Sequence, residues 1–129
     1  MIEINLHRVS GDFGFEAKDA NGHMVKMDTS DESGGSNFGF RPMQMLLAGL
    51  GGCSAIDIVM ILKKQRQTIT DFSIKITGER EAGKEPSLWA NAKIIFFLKG
   101  DIDKEKAARA CELSMNKYIL FSTNHKRNI

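Results

Sequence analysis

One stretch of this 129-residue chain constrains everything else: residues 41–64, Arg-Pro-Met-Gln-Met-Leu-Leu-Ala-Gly-Leu-Gly-Gly-Cys-Ser-Ala-Ile-Asp-Ile-Val-Met-Ile-Leu-Lys-Lys. Between Met43 and Leu62 its only strongly polar residues are Gln44, Ser54 and Asp57. Pro42 suits the first turn of a helix, where a missing N–H costs nothing. Lys63, Lys64 and Arg66 suit its negative end. A helix that is apolar on every side is expected to be buried on every side. Gly51 and Gly52, at about 0.8–1 kcal/mol each relative to Ala in a helix interior, predict close packing or a bend beside Cys53. The run is long enough to span much of a bilayer. Gln44 and Asp57 interrupt it, however, and no second apolar segment accompanies it, so the expectation is a core helix and no membrane partner.

The rest of the chain alternates. Ile2, Ile4 and Leu6 alternate with Glu3, Asn5 and His7, the period of a strand with one buried face. Gly11-Asp12 turns the chain, and Phe13, Phe15 and Ala17 alternate again. Asn21-Gly22 predicts a type I′ hairpin turn, because both residues tolerate positive φ. Residues 24–28 follow as a third strand. His7 and His23 are expected to be exposed strand residues outside any functional cluster. Residues 29–37, Thr-Ser-Asp-Glu-Ser-Gly-Gly-Ser-Asn, predict a flexible polar connection into the helix. Beyond the helix, Phe72, Ile74 and Ile76 alternate with Ser73, Lys75 and Thr77, and residues 79–86 read as a charged hairpin loop. Residues 89–98 form a strand with two apolar faces, Ala92, Ile94, Phe96 and Leu98 on one and Trp89, Ile95 and Phe97 on the other. Such a strand needs cover on both sides, and in a chain this short a partner subunit is a source of the second cover. Asp101 or Asp103 caps a second helix that runs to about Tyr118. Its apolar stripe is Ala107, Cys111, Ser114 with Met115, and Tyr118. Residues 119–129 carry no clear pattern. Three strands, a buried helix, two strands and a helix make an α+β protein, a single domain over residues 1–129.

A net charge of +2 and the lack of a basic block with interleaved aromatics argue against a nucleic-acid partner. The two cysteines show neither CxxC nor zinc-ligand spacing, so neither a metal nor a cofactor is expected. The N-terminus lacks a signal-peptide core, which predicts a cytoplasmic protein with reduced thiols. Cys53 is the candidate nucleophile, and Cys111 reads as a small core residue. A thiol reacts as thiolate, and apolar burial opposes ionisation. Asp57, one turn away, would oppose it too, so a working Cys53 needs a cation from elsewhere. Arg41 lies about 18 Å away along the same helix. It cannot serve its own Cys53, though Arg41 of the partner subunit could.

The run from Arg41 through Gly-Gly-Cys53-Ser-Ala-Ile-Asp-Ile-Val, with Lys-Lys-Gln-Arg-Gln after it, resembles the OsmC/Ohr family of osmotically inducible and organic hydroperoxide resistance proteins. It is most similar to the branch with Gly-Gly-Cys-Ser-Ala-Ile-Asp. Thr-Gly-Glu-Arg80, Gly-Asp-Ile-Asp103, Ala-Cys-Glu-Leu-Ser114 and Lys117-Tyr118 also resemble that branch in order and spacing, over about residues 1–118. The resemblance implies an OsmC-like fold with an N-terminal three-stranded antiparallel sheet, a long buried central helix, a two-stranded hairpin and a second helix. It implies an intertwined homodimer in which the N-terminal strands join the partner's sheet. It further implies a redox enzyme that reduces organic hydroperoxides, with Cys53 as the peroxidatic thiol, a resolving Cys and an activating Arg–Glu pair.

The chain departs from that set at three points. Met43 stands at the position of the family's Glu, with Gln44 beside it. Gly11-Asp12-Phe13-Gly14 offers no match for the Arg. Ile119 follows Tyr118 where the branch has its resolving Cys, and Cys111 lies about 12 Å earlier along a helix. Two functions are therefore expected as alternatives. The first is a thiol-dependent (organic hydro)peroxide reductase of the oxidative stress response, impaired by these losses. It would use Cys53 and an external thiol reductant, because sulfenic acid must be condensed away before overoxidation. The second is a non-catalytic dimer of the same fold that binds a small apolar ligand at its interface, near Met43, Met45 and phenylalanines. The loss of pattern after Tyr118 predicts a truncated or frame-shifted tail that lacks a closing strand.

Overall fold

The computed structural model describes residues 1–80, 89–117 and 125–128. Its elements are β1 (Asn5–Ser10), β2 (Gly14–Lys18), β3 (Met24–Met27), a 3-10 turn (Asp31–Ser33), α1 (Pro42–Lys64), β4 (Thr68–Arg80), β5 (Trp89–Asp101), α2 (Lys104–Lys117) and β6 (His125–Asn128). The chain divides into two compact units, Met1–Leu46 and Leu47–Ile129. The α+β class and the order of three strands, a helix, two strands and a helix agree with the sequence; the 3-10 turn and β6 are additions.

In the first unit β1, β2 and β3 form an antiparallel meander, with Phe15 paired to Arg8 on one side and Met27 on the other. The second corner is not the expected type I′ turn. Of its residues only Gly22 has positive φ, at 85°. The Asp19 carboxylate accepts the N–H groups of Asn21 and His23, each at 2.9 Å, and its backbone N–H donates to the His23 carbonyl at 3.1 Å. A side-chain acceptor at the first position favours a type I turn closed by one left-handed glycine, the three-residue hairpin loop. His23 is exposed as expected and pairs with Asp19 at 2.8 Å.

The connection to α1 is ordered rather than flexible, and Asp28 is the reason. Although a charged residue, it is 2 % exposed. One carboxylate oxygen accepts the Thr29 N–H at 2.7 Å; the other accepts the Ser36 N–H at 2.9 Å, the Ser36 hydroxyl at 3.3 Å and the Phe38 N–H at 3.1 Å. These donors, the Ser36 N–H foremost, outweigh desolvation and hold the carboxyl below its ordinary pKa. Phe40 then bridges to Met27, its N–H donating to the Lys26 carbonyl at 3.0 Å. The helix starts at once. The Gln44 side chain accepts the Arg41 N–H at 3.1 Å, while the Arg41 carbonyl accepts the Gln44 N–H at 2.9 Å. This is the back-reaching half of a capping box, a role for Gln44 that its apolar surroundings concealed.

In the second unit β4 and β5, thirteen residues each, pair antiparallel with Ile74 opposite Phe96. β6 adds to β5 in parallel, from Ala92 opposite His125 to Ile95 opposite Asn128. This corrects the expectation that the tail lacks a closing strand: once backbone pairing is available, four residues without apolar alternation suffice for an edge. The expected loop at residues 79–86 starts later, since β4 runs to Arg80; its remainder, like Tyr118, lies outside the described residues. Asp103, not Asp101, caps α2, its carboxylate accepting the Lys106 N–H at 3.1 Å. The core joins Leu50, Ile58 and Leu62 of α1, Ile94 and Phe96 of β5, and Ala110, Cys111 and Met115 of α2. The other face of β5 keeps only partial cover, with Phe97 49 % exposed. By length and composition alone α1 could cross a bilayer. Here one side of it is seated on the sheet, and the opposite side carries exposed Ile56, Val59 and Met60. Of the 23 residues of this helix only Leu50, Gly51, Ser54, Ile58 and Leu62 are buried within the chain, so the all-round burial expected for it is not met here.

Candidate functional site

Gly51, Gly52, Cys53 and Ser54 pass through α1 without a break. Successive side chains on a helix point about 100° apart, so these four face four directions. Gly51 faces β4, where an added Cβ would lie 2.6 Å from Ile76 Cδ1; the close packing expected of the glycine pair holds at this position. An added Cβ at Gly52 would meet nothing within 4 Å. Ser54 points inward and is fully buried. Its hydroxyl lies 3.9 Å from Met115 Sδ, and its carbonyl accepts the Ser114 hydroxyl at 3.1 Å. Cys53 points outward and is exposed, on the side of the helix that carries Ile56 and Met60. Asp57, one turn further on, is half-buried.

The second thiol has the opposite environment. Cys111 is 1 % exposed within the core, and burial pushes its pKa up to about 11. A thiol held in that range is protonated at neutral pH and inert. The fold therefore gives the two cysteines different surroundings: one is available to reagents and the other is packing, as the helical stripe of α2 predicted. Among the described residues no cluster of His, Cys, Asp or Glu could hold a metal ion. Of the positions where the family has activating groups, Met43 is half-buried in the first turn of α1 and Gln44 is occupied by the helix cap.

Beside the thiol-bearing turn lies an open, mostly apolar groove of about 350 Å³, lined by Ala48, Gly51, Gly52 and Ala55 of α1 and by Phe72, Ser73, Ile74 and Ile76 of β4. The four helix residues sit at i, i+3, i+4 and i+7, one face of a helix. Sequence reasoning took the glycines as a local signal at Cys53. The wider spacing of small residues was the sign of a groove, and it passed unread.

Comparison with known proteins places this geometry. The family of OsmC-like proteins matches residues 33–126, past the Tyr118 at which the resemblance read from sequence stops. Protein YhfA of Escherichia coli (strain K12) is 38 % identical over 105 residues, covering 81 % of this chain and 75 % of YhfA. Among solved structures, a hypothetical protein from Aquifex aeolicus VF5 superposes with a TM-score of 0.82 at 28 % identity, covering 99 % of this chain and 93 % of that one. An organic hydroperoxide resistance protein OsmC from Legionella pneumophila gives 0.70 at 16 % identity, covering 100 % and 97 %, a likeness of fold.

Proposed function

This chain belongs to the OsmC-like protein family, and from that membership we propose that it is a thiol-dependent peroxide reductase of the oxidative stress response, with Cys53 as its nucleophile. The observation that carries the reading is the contrast of the two thiols: Cys53 exposed at the middle of α1, Cys111 sealed in the core. The Cys53 thiolate attacks the terminal oxygen of an organic hydroperoxide. The S–O bond forms as the O–O bond breaks, and the departing alkoxide takes a proton and leaves as the alcohol. Cysteine is now oxidised to sulfenic acid and the peroxide is reduced. An external thiol condenses with the sulfenic acid, releasing water and leaving a mixed disulfide. A second thiol displaces Cys53 and carries the disulfide away. Cys111 takes no part, because a buried protonated thiol cannot attack. Turnover is slow, since Met43 and the cap-bound Gln44 supply no carboxylate at the first turn of α1.

The active form in this reading is a homodimer in a reducing, cytoplasmic environment. Support comes from the apolar residues that the single chain leaves exposed on α1, on β5 and on the N-terminal strands. The test is consumption of tert-butyl hydroperoxide with dithiothreitol as reductant. Activity is expected in the wild type and in Cys111→Ala and is expected to vanish in Cys53→Ser; a wild type no faster than Cys53→Ser would overturn the reading.

A second reading rests on the groove. Its apolar lining and the lack of a carboxylate at Met43 suit a non-catalytic dimer of the same fold that holds a small apolar ligand. Saturable quenching of a fluorescent fatty-acid probe, retained in Cys53→Ser, in a protein without hydroperoxide turnover would favour it.

A further inference from the structure

We infer that Ser114, on α2, is a positioning residue for Cys53. The inference rests on the reading of Cys53 as a nucleophile and adds to it the element that aims the thiol. Cys53 and Ser54 are neighbours about 100° apart around the helix axis, so whatever fixes the direction of one fixes the other. Ser54 is fixed. It is fully buried, its hydroxyl lies 3.9 Å from Met115 Sδ, and its carbonyl accepts the Ser114 hydroxyl at 3.1 Å. The exchange is reciprocal: α2 donates to the backbone of α1, and α1 donates to a side chain of α2.

Neither contact is needed to make a helix. A carbonyl in the helix interior already receives the N–H four residues on, and its second lone pair is free for a further donor. Ser114 uses that lone pair. A buried hydroxyl without a partner is unfavourable, and alanine would fill the site more simply. Both serines are wholly buried, and both are engaged at the one turn that carries the thiol. The neighbouring residues on the inward face of α2, Ala107, Ala110 and Cys111, are small and buried, as a helix seated close to its neighbours requires. If α1 rolled about its axis, both contacts would break and Cys53 would swing away from the outward face. Ser114 adds a directional bond at this turn to the packing of Leu50, Ile58 and Leu62 that seats the helix.

The test is the rate of iodoacetamide alkylation of Cys53, followed by peptide mass at fixed pH, in wild type, Ser114→Ala and Ser114→Thr. With far-UV circular dichroism unchanged, Ser114→Ala is expected to slow alkylation about fivefold, the worth of one ordinary hydrogen bond. Ser114→Thr, which keeps the hydroxyl, is expected to restore the rate. In the hydroperoxide assay Ser114→Ala is expected to lower kcat with KM unchanged. A purely structural serine would lower the melting temperature and leave the alkylation rate alone, and that result would overturn the inference. Failure of Ser114→Thr to restore the rate would do so as well. Should Ser114→Ala not fold, Met115→Leu removes the sulfur acceptor with little change of shape. A smaller slowing is expected there, and a wild-type rate would count against the proposal. Alkylation needs no turnover, so a wild type inactive toward hydroperoxide would refute the peroxidase reading and leave this series to judge Ser114 separately.

Discussion

The two units of the chain are held by different forces. Within Met1–Leu46 the only buried residues are Gly14, Ala17 and Asp28, while Ile4, Leu6, Val9, Phe13, Val25 and Phe40 stay exposed. Its shape rests on a hydrogen-bonded meander and on one carboxylate that gathers a loop. Within Leu47–Ile129, by contrast, Ile58, Leu62, Ile94 and Met115 are wholly or almost wholly buried in one cluster. An intramolecular hydrogen bond is worth a net of about 0.5–1.5 kcal/mol. Full burial of a large aliphatic side chain is worth roughly 1.5–3 kcal/mol. A three-stranded meander without a covered apolar face is marginal by that comparison. The difference teaches that the first unit leaves its large apolar side chains uncovered while the second packs its own into a core. The N-terminal strands and the outward side of α1 have the composition of interior surface.

The largest effect expected is in the closed core. Ile94→Ala removes a side chain with no exposure and is expected to cost about 2–5 kcal/mol in urea unfolding. Leu6→Ala is its counterpart in the open unit. In a lone chain that substitution should stay within about 0.5 kcal/mol. If a second copy covers the N-terminal strands, the loss will approach that of the core variant. It will then also vary with protein concentration, since association stabilises by mass action.

The next test separates the units by method. Asp28→Ala removes the acceptor shared by Thr29, Ser36 and Phe38. Protease cleavage within residues 29–37 is expected to speed up, while Cys111 stays protected from alkylation because the core does not depend on that loop. Early loss of Cys111 protection would show that the units unfold as one. The pH dependence has a definite sign. The folded-state pKa of Asp28 is lowered, so its contribution is fully present above the ordinary value of about 3.9 and is lost as pH falls through the lowered folded value. Loop cleavage in wild type by an acid-active protease should rise over that window, and Asp28→Ala should cleave without the rise.

Legibility in the sequence followed the same division. Periodicity found β4 and the buried stripe of α2, because core packing imposes a period on the residues that enter it, while α1 was found by its unbroken apolar run and β5 by its two apolar faces. Alternation along β5 assigned Ile94 and Phe96 to one face and Phe97 to the other correctly. Where shape rests on polar contacts, pattern reading failed. The bonds from Ser36 and Phe38 to Asp28 span eight and ten residues, and no local propensity encodes them, so a knotted loop read as a flexible one. The turn at Asn21-Gly22 went the same way, because the deciding group was the side chain of Asp19. Gln44 was legible in principle, standing three residues after the helix cap, where a reaching-back side chain belongs. At the candidate site the buried Cys111 followed from the helical stripe of α2, whereas the exposed Cys53 ran against the expectation of a helix buried on every side. The meeting of Ser54 with Ser114 was not legible, because it depends on how two helices pack rather than on either one.

The smallest effect expected carries the sharpest sign. Gly51 and Gly52 are adjacent in α1 but face different surroundings. A Cβ at Gly51 would press on Ile76 Cδ1 at 2.6 Å. Gly51→Ala therefore has to shift that side chain, and the strain, about 1 kcal/mol or more for an overpacked site, offsets what alanine gains in a helix. A Cβ at Gly52 has open space within the chain. Gly52→Ala should then raise stability by about 0.5–1 kcal/mol, the ordinary advantage of alanine over glycine in a helix interior. That gain depends on the outward face staying bare. In a homodimer whose central helices meet there, glycine would be what lets them approach. The same methyl group would then be destabilising where the dimer is populated, and the loss would shrink as dilution separates the chains. Thermal melts of Gly52→Ala at two protein concentrations decide between these signs. A gain independent of concentration would leave Cys53 on a free surface and refute a dimer through this face of α1. A loss would place the thiol at a seam between two chains, where a cation from the partner subunit could reach it.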